Sequence, residues 1–289
     1  MTSRLIPILT VVAAIIAFWY AATVWMNSAW EYDQAERISK PAPTLMQLIP
    51  KTMQQERPVL PAPHQVVEEI WKTTVEKKVT SKRSLIYHAW ITLSSTTVGF
   101  LFGSLLGIVL AAAIIHVKSL EKSMMPWIIS SQTIPILAIA PMIIVVLNAL
   151  GVQGLFPKAL ISAYLSFFPV TVGMVKGFRS PDTAHLDLMH TYNASAAQIF
   201  FKLRWPSAIP FLITSMKVAI AASLIGAIVG EMTLSQDGGV GARLLNGSYY
   251  GQTMMIWSAL IMAAAMAGTL VALIGVAGQI VNKRMGANP

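Results

Sequence analysis

Six apolar stretches, separated by polar connectors, set the rhythm of this chain. The first, Leu5 to Met26, contains no charge, and five more follow at roughly 86–115, 125–150, 157–178, 209–231 and 254–281. A helix crossing about 30 Å of hydrocarbon needs roughly 20 apolar residues. In lipid it must also satisfy its own backbone hydrogen bonds. The pattern therefore predicts an all-α integral membrane protein with about six transmembrane helices. The first stretch exceeds the usual apolar core of a secretory signal, and Trp19, Tyr20 and Trp25 resemble an interfacial belt, so it reads as an uncleaved anchor. Segment 31–84 is instead polar and Pro-rich. Within it, Val66 to Val75 has apolar residues at 66, 67, 70, 71 and 75, the spacing of a short amphipathic helix. Such a helix could lie on the membrane surface or serve as a solvated linker, and both readings stay open. The expected organisation is an anchor over 1–30, a periplasmic segment over 31–85 and a transmembrane domain over 86–284.

Composition agrees with lipid exposure. Only 11% of the 289 residues are charged and 55% are hydrophobic, whereas soluble domains carry about 25% charged residues. The net charge of +9 could point to nucleic acid, but the basic residues form no single face. Segment 31–84 holds nine of the 21 Lys and Arg together with seven acids, and most others lie in short segments between apolar stretches. That distribution reads as topology determinants and membrane-lipid contact, not nucleic-acid binding. With the N-terminus inside, the inner segments carry Arg4, Lys118, Lys122, Arg179, Lys202, Arg204, Lys283 and Arg284, while the short outer loops hold Lys158 and Arg243. Both termini and the long segment 179–208 of a multi-pass membrane protein are therefore expected in the cytoplasm.

Candidate chemistry is sparse. The absence of Cys excludes disulfides and thiolate metal sites, and the histidines at 64, 88, 116, 185 and 190 have no metal-ligand spacing. No GxxxxGK[ST] occurs, so ATP phosphates have no cradle here. The cluster Asp237 to Gly241 lacks a preceding strand and a following Lys, and reads as a flexible outer loop. No nucleophile–base pair or cofactor motif is visible, so the chain is not expected to be an enzyme. Glu231 ends a span that carries no other charge after Lys217, which suits either a transport pathway or an anchor at the interface. Gln132, Thr133 and Pro135 would loosen or line the third span.

Segment 179–208 reads as two helices with a bend. Ser180 and Pro181 form an N-cap and first helical position. Leu188, Met189 and Tyr192 share one side, Asn193 is a left-handed terminator, and Ser195 to Gln198 forms a capping box. Ala196, Ile199, Phe200 and Leu203 follow at helical spacing, and Pro206 marks the next boundary.

This segment resembles the cytoplasmic signature of ABC importer permeases, in the branch importing nitrate, sulfonates, taurine and pyrimidine precursors. That branch reads much like EAARTLGASRWQLFRRVVLPAALP, against DLMHTYNASAAQIFFKLRWPSAIP from Asp187 to Pro210 here. Ala194, Ser195, Gln198, Phe200, Pro206, Ala208 and Pro210 are shared. Asp187 stands for Glu, Leu188 and Met189 for the two Ala, Asn193 for Gly and Trp205 for Leu. Leu60 to Trp71, Gly99 to Ala111, Gln132 to Val145, and the IVGEM and GGVGARL runs are similar to other family segments in the same order.

The resemblance implies a type I ABC importer permease fold. Its expected partners are two ATPase subunits, a second permease copy or paralogue, and a periplasmic or lipid-anchored solute-binding protein. It also implies that Asp187, Leu188, Met189, His190, Tyr192, Asn193, Ala194, Ser195, Gln198 and Pro206, within coupling segment 180–206, engage the ATPase. Gln132, Thr133, Pro135 and Glu231 remain the pathway candidates. The alternative is a secondary transporter driven by an ion gradient, which would want carboxylates deep in the membrane.

Overall fold

The computed structural model describes residues 2–234 and 237–286, with side chains from Ile6 onward. The side chain of Arg4, counted above among the inner basic residues, lies outside the described residues. In chain order the helices are α1 (Thr2–Arg37), α2 (Leu45–Met53), α3 (Pro63–Trp71), α4 (Leu85–His116), α5 (Lys118–Ser130), α6 (Ile136–Ala149), α7 (Leu155–Phe178), α8 (Thr183–Thr191), α9 (Ala196–Ile199), α10 (Trp205–Thr233), α11 (Val240–Tyr249) and α12 (Thr253–Arg284). Among the described residues, five helical spans are long and apolar enough to cross a membrane: α1, α4, α7, the continuous run through α9 and α10, and α12.

The apolar stretch 125–150 differs from expectation. It is broken into α5 and α6 by turns at residues 131–135, with Pro135 extended at the N-cap of α6. The 14 residues of α6 rise only about 21 Å at 1.5 Å each, short of the hydrocarbon thickness. Pro cannot donate to the preceding turn and disfavours helical backbone in the residue before it, which places the break there.

The chain forms two compact units, one of Met1–His88 with Arg243–Met262, the other of Ala89–Ala242 with Ala263–Pro289. In the first, α1 continues past Met26 to Arg37, so the anchor and the start of the polar segment are one helix. The Pro-rich stretch after it is ordered around Asn27, which is fully buried. Asn27 Nδ2 donates to the carbonyls of Thr52 and Leu60, and its Oδ1 accepts from the backbone N–H groups of Val59 and Leu60. Gln55 extends this network to Glu31, and Trp19 donates to the Pro61 carbonyl.

In the second unit α7 is the central helix, packing most extensively on α10. Gly99, Gly103 and Gly107 of α4 face Ser162, Ser166 and Val170 of α7, each at four-residue spacing, so close that a Cβ on any of them would collide. On the other side, α10 approaches α7 through Gly226 against Ser162, while Gly177 of α7 meets Ala208 of α10. Small residues let membrane helices gain dispersion contacts that larger side chains would prevent. Ser223 adds an interhelical hydrogen bond to the Thr96 carbonyl at 2.9 Å. A core cluster of Phe100, Ile114, Ile128, Val170, Met174, Phe178 and Ile220 fills the remaining space.

Candidate functional site

The predicted bend is present. Asn193 has a φ of +50°, in the left-handed region, where Asn is tolerated better than other residues carrying a side chain. Its N–H bonds the His190 carbonyl, and Ala194 N–H bonds the Met189 carbonyl, closing α8. Immediately after it, Ser195 Oγ accepts from Gln198 N–H while Gln198 Oε1 accepts from Ser195 N–H, the reciprocal box expected from sequence.

Two boundary expectations change. The first helix is capped at Asp182, not Ser180; Ser180 Oγ donates instead to the Gly177 carbonyl at the end of α7. Pro206 does not stop the second helix, which runs on into α10 through a π turn at Phe200–Arg204. The wider turn accommodates a proline that has no N–H and whose ring would strike the carbonyl of the preceding turn.

The bend segment has an exposed half and an anchored half. No residue of α8 is buried; Asp187, Leu188 and His190 are exposed, as are Tyr192, Asn193, Ser195 and Gln198 beyond it, while Met189 and Ala194 are half-buried. Leu188 and Tyr192 present 53% and 77% of their surface, so this apolar side is not packed within the chain. By contrast, Ile199 is buried and Phe200 sits among rings. Its centroid lies 5.1 Å from both Phe178 and His116, and 6.2 Å from Trp205. Trp205, a departure from the family pattern, fits here because it packs 5.9 Å from the fully buried Phe178. Arg204 Nη1 donates to the Phe178 carbonyl at 2.9 Å.

Arg179 pairs with Glu121 of α5 at 2.7 Å, tying the first turn of α5 to the end of α7. The Arg179 hydrogen bond holds the Glu121 carboxyl below its usual range. The pair is therefore intact above the ordinary Glu pKa and is lost as pH falls through the depressed value. Bend, aromatic cluster and ion pair form one continuous element rooted in three long helices. No local pattern signals this aromatic root beyond the density of rings between Phe178 and Trp205.

The pathway candidates separate. Gln132, Thr133 and Pro135 are exposed at the break between α5 and α6. Glu231 is fully buried, which rules out the reading as an anchor reaching the interface. Its Oε2 accepts from Thr92 Oγ1 at 2.8 Å and Gly241 N–H at 2.9 Å. Thr92 Oγ1 in turn accepts from Val240 N–H. Gly239 has φ +111° and lies where a side chain would strike the Glu231 carboxyl. The DGGVG cluster, expected to be a flexible loop, is thus folded onto a buried carboxylate. Asp237 also pairs with Lys158 at 3.4 Å, and Lys158 is only 2% exposed. The glycines permit backbone N–H groups to reach the carboxylate, a reason that sequence spacing alone did not reveal.

A cavity of about 470 Å³ opens between α7 and α10, walled by Phe168, Pro169, Lys176, Pro210 and Phe211 among others. Among the described residues, no cluster of His, Asp or Glu could hold a metal ion.

Comparison with known proteins locates this geometry. Residues 103–287 match the family described as binding-protein-dependent transport system inner membrane component. A probable ABC transporter permease of Haemophilus influenzae is 27% identical over 208 residues, covering 72% of this chain and 80% of its own length. The formylaminopyrimidine transport permease ThiX of Halalkalibacterium halodurans is 29% identical over 181 residues, 62% of this chain and 68% of its own. The riboflavin transport system permease RibX of Chloroflexus aurantiacus is 28% identical over 217 residues, 75% of this chain and 77% of its own. Among solved structures, the inward-facing MetNI methionine ABC transporter superposes with a TM-score of 0.53 at 20% identity, covering 69% of this chain and 95% of the matched chain.

Proposed function

The chain belongs to the family of binding-protein-dependent transport system inner membrane components, and from that premise we propose that its bend segment, Asp187 to Pro206, is the element that engages the ATPase. The chain is a permease subunit of an ABC importer, a multi-pass inner-membrane component that carries solute and is not itself an enzyme. It works with an ATPase and a solute-binding protein, and the ion-gradient alternative falls with the family assignment.

The observation that supports the coupling role is the contrast between α8, with no buried residue, and its root, fixed by Phe178, Phe200 and Trp205. An exposed tip on a rigid base can receive a push and pass it to α7 and α10, moving them as bodies. Asp187, Leu188, Met189, His190 and Tyr192 form the contact surface. Asn193, Ala194, Ser195 and Gln198 hold the bend, and Pro206 begins the attached span. Two ATPases serve two permease copies, or one copy and a paralogue, and a periplasmic or lipid-anchored binding protein delivers the solute. Both termini and the bend face the cytoplasm; an anchor (1–30), a periplasmic segment (31–85) and the transport domain (86–284) complete the organisation.

Gln132, Thr133 and Pro135 are assigned to the pathway because the broken helix leaves polar groups exposed there, as irregular backbone is tolerated at membrane depth only beside protein or water. Glu231 acts on the pathway at one remove, by fixing residues 238–241. Two of the relatives carry nitrogen heterocycles, which makes that class the first cargo to test by uptake.

Because the natural chain has no Cys, a single His190→Cys reports cleanly on the contact. It is expected to crosslink to the ATPase in the assembled transporter and not to the solute-binding protein. Crosslinking to the binding protein, or to neither, would show that the segment is a connector only.

A further inference from the structure

The first unit contains a polar cleft that the transport assignment does not use. Its volume is about 420 Å³, and it lies among the π turn Lys72–Glu76 that follows α3, residues 77–83 and α11. Lys72, Lys77, Lys82, Arg83 and Arg243 line it against two acids, Glu69 and Glu76, leaving an excess of three positive charges. Lys72 is already paired with Glu68 at 2.7 Å. Lys77 and Lys82 are exposed.

Arg243 makes this more than a solvated basic patch. It is 6% exposed, and its Nη1 donates to the Arg83 carbonyl at 3.0 Å. Nη2 has only a long approach to Glu69 at 3.8 Å, and Nε has no hydrogen-bond partner among the described residues. Burial disfavours its charged form, and Glu69 offsets this only in part. A buried guanidinium with an unused donor, in a cleft of positive charge, is completed by an oxyanion. Its planar fork fits phosphate oxygens in particular.

The surroundings indicate where that phosphate comes from. Val67 and Trp71 of α3 and Val75 of the π turn after it, at four-residue spacing, are 64%, 59% and 57% exposed. An exposed apolar stripe bearing Trp beside lysines is the composition of a helix lying in the headgroup region. We propose that the cleft binds the phosphate of an anionic phospholipid headgroup, with α3 seated in the interface beside it. This reading also selects the membrane-surface alternative for Val66–Val75, and it does not depend on how the transporter couples to its ATPase.

The test uses the intact chain, extracted with its partner subunits and placed in nanodiscs. Retention of phosphatidylglycerol and phosphatidylcholine is read by native mass spectrometry, with inorganic phosphate as competitor. The natural chain should retain phosphatidylglycerol preferentially. Lys77→Gln with Lys82→Gln should weaken that retention by about tenfold, as expected for two cations near a lipid headgroup, and leave phosphatidylcholine unchanged. Arg243→Gln should abolish the preference. If that variant fails to assemble, the exposed lysine pair carries the test, since neither side chain supports the fold. Equal retention of both lipids, or a preference untouched by the lysine changes, would overturn the proposal. Binding of inorganic phosphate without retained lipid would mean a site for free anions and would equally overturn it.

Discussion

Asn193 carries a left-handed backbone, with φ at +50°, and the shape of the exposed tip depends on it. A β-branched residue in that region is strained by on the order of 1–3 kcal/mol. Asn193→Val should therefore leave membrane insertion intact while reducing ATPase association or uncoupling ATP hydrolysis from uptake. Asn193→Gly should transport normally, because Gly reaches the same region without a Cβ clash. Uptake and ATPase assays on both variants check this, and a fully active Val variant would contradict it. Glu231 poses a different problem at the same scale, since its carboxylate is an acceptor for an otherwise buried loop backbone. Glu231→Ala would leave the N–H of Gly241 and the hydroxyl of Thr92 without this acceptor, at a cost of about 1–3 kcal/mol per group. Glu231→Gln retains an acceptor oxygen and should lose less. Thermal unfolding in detergent should rank natural chain above Gln above Ala, with uptake following the same order. If Gln abolished uptake while leaving stability unchanged, the charge itself would be acting in the pathway.

Among the elements, α4 and α7 depend on absence of bulk. Gly103 of α4 lies directly against Ser166 and Ala163 of α7, so Gly103→Leu has nowhere to place its side chain. Overpacking typically costs about 1–3 kcal/mol or more, and with main-chain atoms of Ala163 in the way, helix separation is the expected response. The variant should show lower yield and a lower unfolding temperature, whereas Gly268→Leu on α12, where nothing lies near, should not. Equal behaviour of the two would mean that the α4–α7 contact is not tight. The break at 131–135 belongs to this scale too. Hydropathy across 125–150 reads as one apolar span, but Pro135 and the polar Gln132 and Thr133 divide it into α5 and α6. The polar residues that interrupt the span are thereby left exposed instead of buried in a helix–helix seam.

For the molecule as a whole, orientation is the property from which the partners' sides follow. Met46 is 89% exposed and Tyr192 77% exposed, which makes each a suitable site for a single cysteine. In intact cells with a permeabilised outer membrane, a membrane-impermeant maleimide should label Met46→Cys at once. Tyr192→Cys should label only after the inner membrane is opened. Labelling of both from outside would reverse or break the proposed topology, and with it the sidedness of the ATPase.

The sequence by itself determined the helical membrane class, the approximate positions of the spans other than 125–150, and the bend at Asn193 with its Ser195–Gln198 box. Each of these follows from local or periodic chemistry: apolar length against hydrocarbon thickness, and capping groups three residues apart. Tertiary structure alone decided which polar residues are buried and why. Asn27 looks like a stray amide just beyond an apolar stretch until the carbonyls and N–H groups of residues 52–60 gather around it. Glu231 and Gly239 to Gly241 are neighbours in sequence, but Thr92 joins them from a helix far earlier in the chain. Trp205 departs from the family pattern until Phe178 and Phe200 explain the space it fills. These are contacts between distant segments, set by which helix faces meet at close range, and no spacing within one segment encodes them.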